Sequence, residues 1–314
     1  GTVGGTAATN VTHTSEGPSL TQIHARWRND DGGESDVSGW WDDQWSRRTA
    51  ITIDNTGNTH ALTNYQVQVV ASYDSDMQSD FDDIRFTNGS ATALDYWMES
   101  KTDGVSATFW VEVDAIAASS EATIYMYYGN GSVSTTSNAK NTMVIYEDME
   151  SAPSGTLVDN AYYDATNDRV RLTTATNDID GQLEYGSSPT PGFVAQWRHW
   201  TGGGSGADAV WLYEQATATP NDEDASVNGY IFAADEYNNQ LQVKYNNALL
   251  SSWGTTTIDN STWRDVEIVF YESSGTYYYQ FWYDGTQRIS GSSANTPTGS
   301  LFGWGARTGG LNNE

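Results

Sequence analysis

The sequence carries three runs in its last third: GGGSGADA at residues 202–209, GYIFAADEYNN at residues 229–239 and LFGWGARTGGLNNE at residues 301–314. Each run places glycine beside a stretch of alternating residues, which is typical of a strand that ends in a turn. Each also sets Asp or Asn side chains at that turn. Glycine lets a backbone approach a ligand closely, and short acceptor side chains hold sugar hydroxyls at fixed angles. The runs therefore predict strands whose turns favour sugar binding.

The three runs resemble the legume-type (L-type) lectin family, whose fold is a concanavalin-like jelly-roll sandwich. An Ala-Asp pair in that family gives a carboxylate to sugar hydroxyls, and the similar pair here is Ala207-Asp208. The family's E-F-D-T-[FYW]-x-N run is similar to residues 233–239, and its late G-[FW]-[SG]-A-x-T-G loop is similar to residues 303–310. The resemblance covers roughly residues 143–314.

The resemblance implies a set of residues that contact sugar. Taken alone, Asp208 is better explained as a carboxylate at a turn or strand edge; the glycine run before it and the apolar strand after it make a sugar contact an equally good explanation. The ring of Tyr237 is suited to stacking on a pyranose, because aromatic faces pack against the axial C–H groups of sugars. Trp304 is a second aromatic candidate, although any one of 13 tryptophans is more often in a core. The expected carbohydrate-binding residues are Asp208, Gly229, Tyr237, Asn238, Asn239, Thr308, Gly309, Gly310 and Leu311.

The resemblance also implies a metal site in the second run. Its expected ligands are Asp235, Asn238 and Asn239. Carboxylate and amide oxygens suit calcium, so Ca2+ is the cofactor that this run favours. The family's first metal ligand is a Glu, and Ala233 stands at that position, so that ligand is not carried over.

Other acidic runs have a simpler interpretation. The run NDED at residues 221–224 has enough carboxylates for calcium but lacks the glycine-punctuated register of a known calcium loop. We therefore predict a solvated loop there. The acids at residues 74–76 and 80–83 are interpreted in the same way.

Residues 39–142 are predicted to form a separate β-sandwich, because short alternating runs recur between turns. This segment resembles a domain family of unknown function, DUF2341. The markers are Trp45 with Arg47-Arg48, FDDIRF at residues 81–86 and ATIYMYYGN at residues 122–130. The resemblance implies a secreted location with a lectin-like sandwich as neighbour, and it implies no chemistry.

The predicted fold class is all-β, with two jelly-roll-like β-sandwich domains and a short β-patterned N-terminal segment. Residues 1–38 are that segment with its acidic linker, residues 39–142 the first sandwich and residues 143–314 the lectin-like sandwich. Family members end on one further strand after the T-G loop, so the second sandwich is expected to lack its final strand within residues 143–314.

The net charge of −27 excludes several classes of partner. Contact with phosphates needs Lys and Arg, so DNA, RNA and anionic lipid are not expected partners. No apolar run approaches the roughly 20 residues of a membrane span. The chain has no cysteine, which excludes disulfides and thiolate metal sites.

An acidic surface of this kind suits an extracellular or cell-surface location, and it suits ordinary solubility equally well. Four Asn-x-Ser/Thr sequons are candidate glycosylation sites. In a chain rich in Thr, Ser and Asn several would arise by chance. They are Asn10, Asn88, Asn130 and Asn260.

No catalytic pattern is found. Glycosidic cleavage needs two carboxylates that flank the bond, and Asp235-Glu236 point to opposite faces of a strand. The four histidines make no metal motif, and no G-x-S-x-G run occurs. The sequence therefore predicts a protein that is not an enzyme.

Two functions remain. The first is a secreted or cell-surface lectin-like adhesion protein whose partners are glycans or glycoconjugates. The second is a structural subunit of an extracellular filament or pilus that displays the lectin-like domain. The β-patterned N-terminal segment motivates the second, because unpaired strands invite pairing with a neighbouring chain.

Overall fold

The computed structural model describes residues 40–189, 192–201, 209–254, 258 and 261–309, together with the backbone of residues 8–9 and 25–29. Contacts divide the chain into two units, Gly1–Tyr146 and Glu147–Glu314. The all-β prediction is confirmed: within the described ranges the only helix is the single turn α1 (Ala139–Thr142). Asn138 caps this turn by accepting a hydrogen bond from the Asn141 backbone N–H at 3.1 Å.

The first unit contains two antiparallel sheets. One has the strand order β1-β2-β3-β9-β5-β6 and the other β4-β8-β7. Apolar residues at every second position face the core between the sheets, as β3 shows with Ile51 and Ile53 both fully buried. The predicted N-terminal β-segment is confirmed as β1 and β2, and β2 pairs with β3. The strands are β1 (Ala8–Thr9), β2 (Ala25–Asn29), β3 (Arg47–Asp54), β4 (Leu62–Ser72), β5 (Arg85–Asn88), β6 (Ala93–Leu94), β7 (Tyr96–Thr102), β8 (Ser106–Ile116) and β9 (Glu121–Tyr128).

Asp83 holds together the loops at one end of this unit. Its Oδ1 accepts from the Gln78 N–H at 3.0 Å, and its Oδ2 accepts from the N–H groups of Gly129 at 2.6 Å and Asn130 at 3.2 Å. The side chain is fully buried. The prediction of a solvated carboxylate is therefore wrong for Asp83, because three backbone donors from two distant segments converge on it.

The other sequence markers of this unit surround Asp83. The Trp45 indole N–H donates to the Asp83 carbonyl at 2.6 Å. The Arg85 guanidinium is 5.4 Å from the Trp45 ring centroid and donates to the Ser134 carbonyl at 2.7 Å. These markers thus have a structural role in joining the loops to β5 and β9.

The second unit contains a seven-stranded sheet, a four-stranded sheet and a two-stranded ribbon. Their orders are β10-β13-β22-β15-β16-β17-β18, β14-β19-β20-β21 and β11-β12. The strands are β10 (Thr156–Asp159), β11 (Tyr162–Asp164), β12 (Arg169–Arg171), β13 (Asp180–Tyr185), β14 (Phe193–Thr201), β15 (Ala209–Ala216), β16 (Tyr230–Asp235), β17 (Gln240–Tyr245), β18 (Ala248–Gly254), β19 (Thr262–Ser273), β20 (Thr276–Tyr283), β21 (Thr286–Ser293) and β22 (Leu301–Arg307).

Aromatic side chains fill the space between the two larger sheets. Phe232 lies edge-on to Phe270 at 5.8 Å, and Phe193 lies edge-on to Phe302 at 5.5 Å. Such geometry favours aromatic pairs beyond their buried area. Since side chains alternate along a strand, the neighbours of Phe232 on β16 point to the opposite, outer face of the seven-stranded sheet.

Two-residue turns join several of these strands. An Asp-Gly pair between two alternating runs predicts a two-residue hairpin turn, and Asp284 and Gly285, between β20 and β21, have the φ angles of such a turn, 49° and 68°. Asn246 and Asn247 form a similar turn with φ angles of 48° and 65°. The sequence analysis did not anticipate this second turn or strand β18, which follows it.

Candidate functional site

Strand register gathers the three decisive runs at one end of the seven-stranded sheet. Ala209, the first residue of β15, pairs with both Asp235 and Arg307. Asp235 is the last residue of β16 and Arg307 the last of β22. We call this end, with Ala209, residues 235–239 and residues 307–309, the loop end.

Several predicted residues lie outside the described residues. These are Asp208, Gly310 and Leu311 of the sugar site and the sequons Asn10 and Asn260. Their contribution stays a prediction. Ala209 and Gly309, which adjoin them in the chain, both belong to the loop end.

Asp235 organises the turn between β16 and β17. Its Oδ1 accepts from the Asn238 backbone N–H at 2.8 Å, and its Oδ2 accepts from Asn238 Nδ2 at 2.7 Å and Gln242 Nε2 at 2.8 Å. The side chain has no exposed area. A buried carboxylate must be paired or hydrogen-bonded, and these three donors meet that need.

The carboxylate of Asp235, an expected calcium ligand, is already engaged in hydrogen bonds. Three N–H donors occupy most of the roughly four acceptor positions of the Asp235 carboxylate, and their hydrogens point to where a cation would sit. The other expected ligands, Asn238 and Asn239, offer one side-chain oxygen each. Calcium takes six to eight oxygen ligands, and the side chain of Ala233 offers none. Among the described residues, the side chains of this hairpin therefore do not form a calcium site.

Tyr237 projects from the tip of this hairpin into solvent. Its side chain is 73% exposed, more than any other large hydrophobic side chain in the described part of the chain. Asn239 follows with φ at 53°, a left-handed conformation that Asn tolerates well. The ordered turn thus presents one aromatic ring and two amide side chains at the loop end.

Thr308 and Gly309 position the neighbouring loop. The Thr308 hydroxyl donates to the Thr176 carbonyl at 2.5 Å and accepts from the Ile179 N–H at 3.1 Å. The Gly309 carbonyl accepts from the Asp178 N–H at 3.0 Å. Thr308 is 1% exposed, so its side chain supports the loop and does not face a ligand.

Gly229 is not brought to the loop end. It precedes the first residue of β16, whereas Asp235 is the last, so about 20 Å of strand separates them. A Cβ at Gly229 would lie 2.7 Å from the Glu214 carbonyl oxygen. Gly229 is therefore required for a close backbone approach, and the structure separates it from the other predicted sugar contacts.

Two sequons can be placed. Asn88 is partly buried, and its Nδ2 donates to Asp114 at 2.7 Å. Asn130 is 8% exposed, and its Oδ1 accepts from the Ser132 N–H at 3.1 Å. A glycan on Asn130 would have to displace the surrounding chain.

The acidic run at residues 221–224 differs from its prediction. Glu223 is buried, and Asp222 and Asp224 pair with Arg307 and Lys244. The carboxylate oxygens of the three acids lie within 4.8 Å of one another. The prediction of a solvated loop is therefore wrong for the buried Glu223, whereas Asp224 remains exposed to solvent while it pairs with Lys244.

Sequence reasoning missed the cations that pair with this run. Lys244 is 6% exposed on β17, far from its partner in sequence. Its one local signal was rarity, since the chain has only three lysines. The partners of a buried charge come from non-adjacent strands, which a pattern along the chain does not show.

Replacing Asp235 tests the hairpin directly. We expect Asp235→Ala to lower the free energy of unfolding of the second unit by about 2–3 kcal/mol, because it leaves buried donors without an acceptor. Asp235→Asn should cost less, since one oxygen remains. The measurement is urea unfolding. Asp265→Ala is the control: it breaks an exposed ion pair with Arg198, and such pairs contribute little. Equal losses in Asp235→Ala and the control would contradict this role.

Residues 80–160 match the family model described as Domain of unknown function (DUF2341). No curated protein matches the chain. No helix in the described part of the chain has the length and apolarity to cross a membrane.

Solved structures of lectins are similar to the chain. The Ca2+-bound VIP36 exoplasmic/lumenal domain has 14% identity and a TM-score of 0.42, covering 54% of this chain and 85% of its own. The metal-free carbohydrate recognition domain of Emp46p has 12% identity and a TM-score of 0.38, and the match covers 50% of this chain and 86% of the Emp46p domain. Winged bean acidic lectin with methyl-α-D-galactose has 12% identity and a TM-score of 0.39, and the match covers 54% of this chain and 91% of the lectin.

Proposed function

We propose that the second unit is a non-catalytic sugar-binding module whose site is the loop end. The observation that carries this proposal is the exposed Tyr237 ring on a hairpin fixed by Asp235. An exposed ring on an ordered turn can stack on a pyranose without a further cost of ordering the loop. Asn238 and Asn239 add amide groups, which both donate and accept hydrogen bonds to hydroxyls.

Other features support this site. Ala209 and Gly309 adjoin the predicted contacts Asp208, Gly310 and Leu311, and they lie at the same end of the sheet as Tyr237. The proposed partners are glycans or glycoconjugates, and a location at the cell surface or outside the cell rests on the family resemblance of the first unit. The filament alternative has no supporting observation among the described residues.

The expected result is glycan binding that depends on Tyr237. On a glycan array the whole chain should retain at least one class of sugar, and Tyr237→Ala should weaken binding about tenfold, or about 1.4 kcal/mol. Tyr162→Ala is the matched control, because Tyr162 is 40% exposed elsewhere in the same unit. Equal affinity of native and Tyr237→Ala proteins for a retained glycan would refute the loop end as the site.

The same array tests calcium. Since the Asp235 oxygens are engaged by three N–H donors, we expect binding in EDTA to equal binding in calcium. Loss of binding in EDTA, restored by added calcium, would show that Asp235, Asn238 and Asn239 rearrange around an ion.

A further inference from the structure

The connection from β15 to β16 forms a compact loop with a closed neck. The Thr217 N–H and hydroxyl both donate to the Val227 carbonyl, at 2.8 and 2.6 Å. We call residues 217–228 the strap. A loop with adjoining ends and its own packed side chains is an Ω-loop, a form that is frequently functional.

The strap lies on the outer face of the seven-stranded sheet. Its residues Ala225 and Val227 pack with Trp211, Ile231 and Ala233. Thr219 donates to Glu184, and the Pro220 carbonyl accepts from Gln182 Nε2 at 3.3 Å. The strap therefore covers a face that extends from β13 to β17.

Two ion pairs hold the head of the strap to this face. Asp222 pairs with Arg307 of β22 at 2.5 Å, and Asp224 pairs with Lys244 of β17. Three strand spacings, about 14 Å, separate β22 from β17. Two cations from distant strands thus converge on neighbouring carboxylates of one loop.

Glu223 lies between these two acids and is buried. Burial and the adjacent Asp222 raise the pKa of its carboxyl above the usual value. The two acids of the strap that pair with cations are Asp222 and Asp224.

The sheet beneath the strap carries buried polar atoms without hydrogen-bond partners among the described residues. These are Oε1 of Gln182, Oε1 of Gln242 and Nε1 of Trp211. Register places them in one row, Gln182–Gly305–Trp211–Ala233–Gln242. Buried polar groups are normally satisfied, so these two acceptors and one donor suit a partner of mixed polarity.

The Trp211 indole fills the space above the glycine of this row. A Cβ at Gly305 would lie 2.5 Å from the Trp211 indole, so the indole lies against the glycine backbone. Gly305 and Ala233 are the small residues on either side of Trp211. Hydroxyl groups both donate and accept, and pyranoses stack on indole rings, whereas an acidic peptide would supply few hydroxyls.

We propose that the outer face beneath the strap is a second binding site, for an acidic oligosaccharide, and that Asp222 and Asp224 occupy its two cationic groups as an internal ligand. A uronate-bearing sugar takes the place of the strap by pairing with Arg307 and Lys244 while its hydroxyls satisfy Gln182, Trp211 and Gln242. The strap swings about its neck at Thr217 and Val227. This site shares Arg307 with the loop end, and its Gln242 also donates to Asp235, but the proposal does not rest on sugar binding at Tyr237.

Neutralising the strap tests the proposal. The probe is a hexamer of galacturonate, compared with maltohexaose as the neutral sugar, in calorimetric titration of the whole chain. We expect Asp222→Asn with Asp224→Asn to bind the galacturonate hexamer at least tenfold more tightly than the native protein does, and neither protein to prefer maltohexaose. Asp168→Asn with Glu150→Gln removes two exposed charges of the same unit and should leave the affinity unchanged.

Further arms identify the site and the ligand class. Lys244→Gln with Arg307→Gln, added to the neutralised strap, should abolish the gain, whereas Tyr237→Ala should not alter it. Hydrogen exchange on the native protein avoids any folding defect of the variants: saturating hexamer should speed exchange of amides in residues 217–228. No gain in affinity with unchanged strap exchange would overturn the proposal. Equal binding of a glutamate hexapeptide would overturn the assignment to sugar.

Discussion

Between pH 4.5 and pH 8.5, the stability of Glu214→Gln relative to the native protein is expected to rise by about 4 kcal/mol. Glu214 lies on β15 and is fully buried, and no described residue makes a hydrogen bond of normal geometry to its carboxyl oxygens. Its cross-strand neighbours are Tyr230 and Phe302. Such surroundings disfavour the charged form.

The sign follows from the two pKa values of Glu214. Burial raises its folded-state pKa from 4.5 to about 8, and nearby Ser188 and Gln215 offset this only in part. Below pH 4.5 both states are protonated, so the native protein has its full stability. Between pH 4.5 and 8 the unfolded state releases a proton that the folded state keeps, and stability falls. A glutamine has no proton to release, so the variant lacks this loss.

The measurement is urea unfolding of both proteins at steps from pH 4.5 to 9. Native stability should decrease over this range, with Glu223 contributing in the same direction because its pKa is also raised to about 8. Glu150→Gln, at an exposed position, is the control and should follow the native curve. A difference between native and Glu214→Gln that is constant with pH would show that Glu214 is ionised in the folded protein.

The second large effect is expected at Asp83 in the first unit. Asp83→Ala should lower the free energy of unfolding of that unit by about 3–5 kcal/mol, because the N–H groups of Gln78, Gly129 and Asn130 lose their acceptor in a buried place. The loss of unfolding free energy in Asp83→Asn should be smaller than in Asp83→Ala but still measurable. An amide keeps one acceptor oxygen but adds two donors.

The neighbouring Asp82→Ala is the matched control for Asp83. It makes the same change of side chain at a partly buried position, and the carbonyl that accepts from Arg85 at 3.0 Å remains. We expect its midpoint in urea to stay within the range of an ordinary surface substitution, about 0.5 kcal/mol. If Asp83→Ala unfolds at the same urea concentration as Asp82→Ala, the three hydrogen bonds to Asp83 are not what joins these loops.

Local patterns were sufficient for the fold class. Alternation along β3 predicted a strand, because one of its faces is buried and the other is partly exposed. Strand β16 is buried on both faces, so its apolar run and flanking turns predicted it. Asp284-Gly285 predicted its own hairpin, since two residues with positive φ match the twist of the flanking strands. Strands β13 and β18 escaped the sequence analysis: the buried Gln182 blurs the period in β13, and β18 has no buried residue to reveal a period.

One part of the candidate site was predictable from the sequence and another part was not. The run that contains Asp235 and Tyr237 was predicted from its residues and its resemblance, and the structure places it at the loop end with Ala209 and Gly309. Gly229 belonged to the same run, yet strand length moves it to the opposite end of β16. A residue's distance from a site depends on the direction of the chain through the sheet, which local spacing does not show.

The sequence by itself determined the all-β class, the β-patterned N-terminal segment, the acidic surface and the exclusion of thiol chemistry, because these depend on composition and on the two-residue period of the strand. Only the tertiary structure decided which carboxylates are structural. Asp83, Glu214 and Glu223 are buried through contacts with segments far away in sequence, and the strap meets Arg307 and Lys244 only because β22 and β17 lie in one sheet. Burial sets the free-energy cost of a charge, and burial depends on which distant segments pair. Acidic residues of the same type within one run can therefore differ in their chemistry.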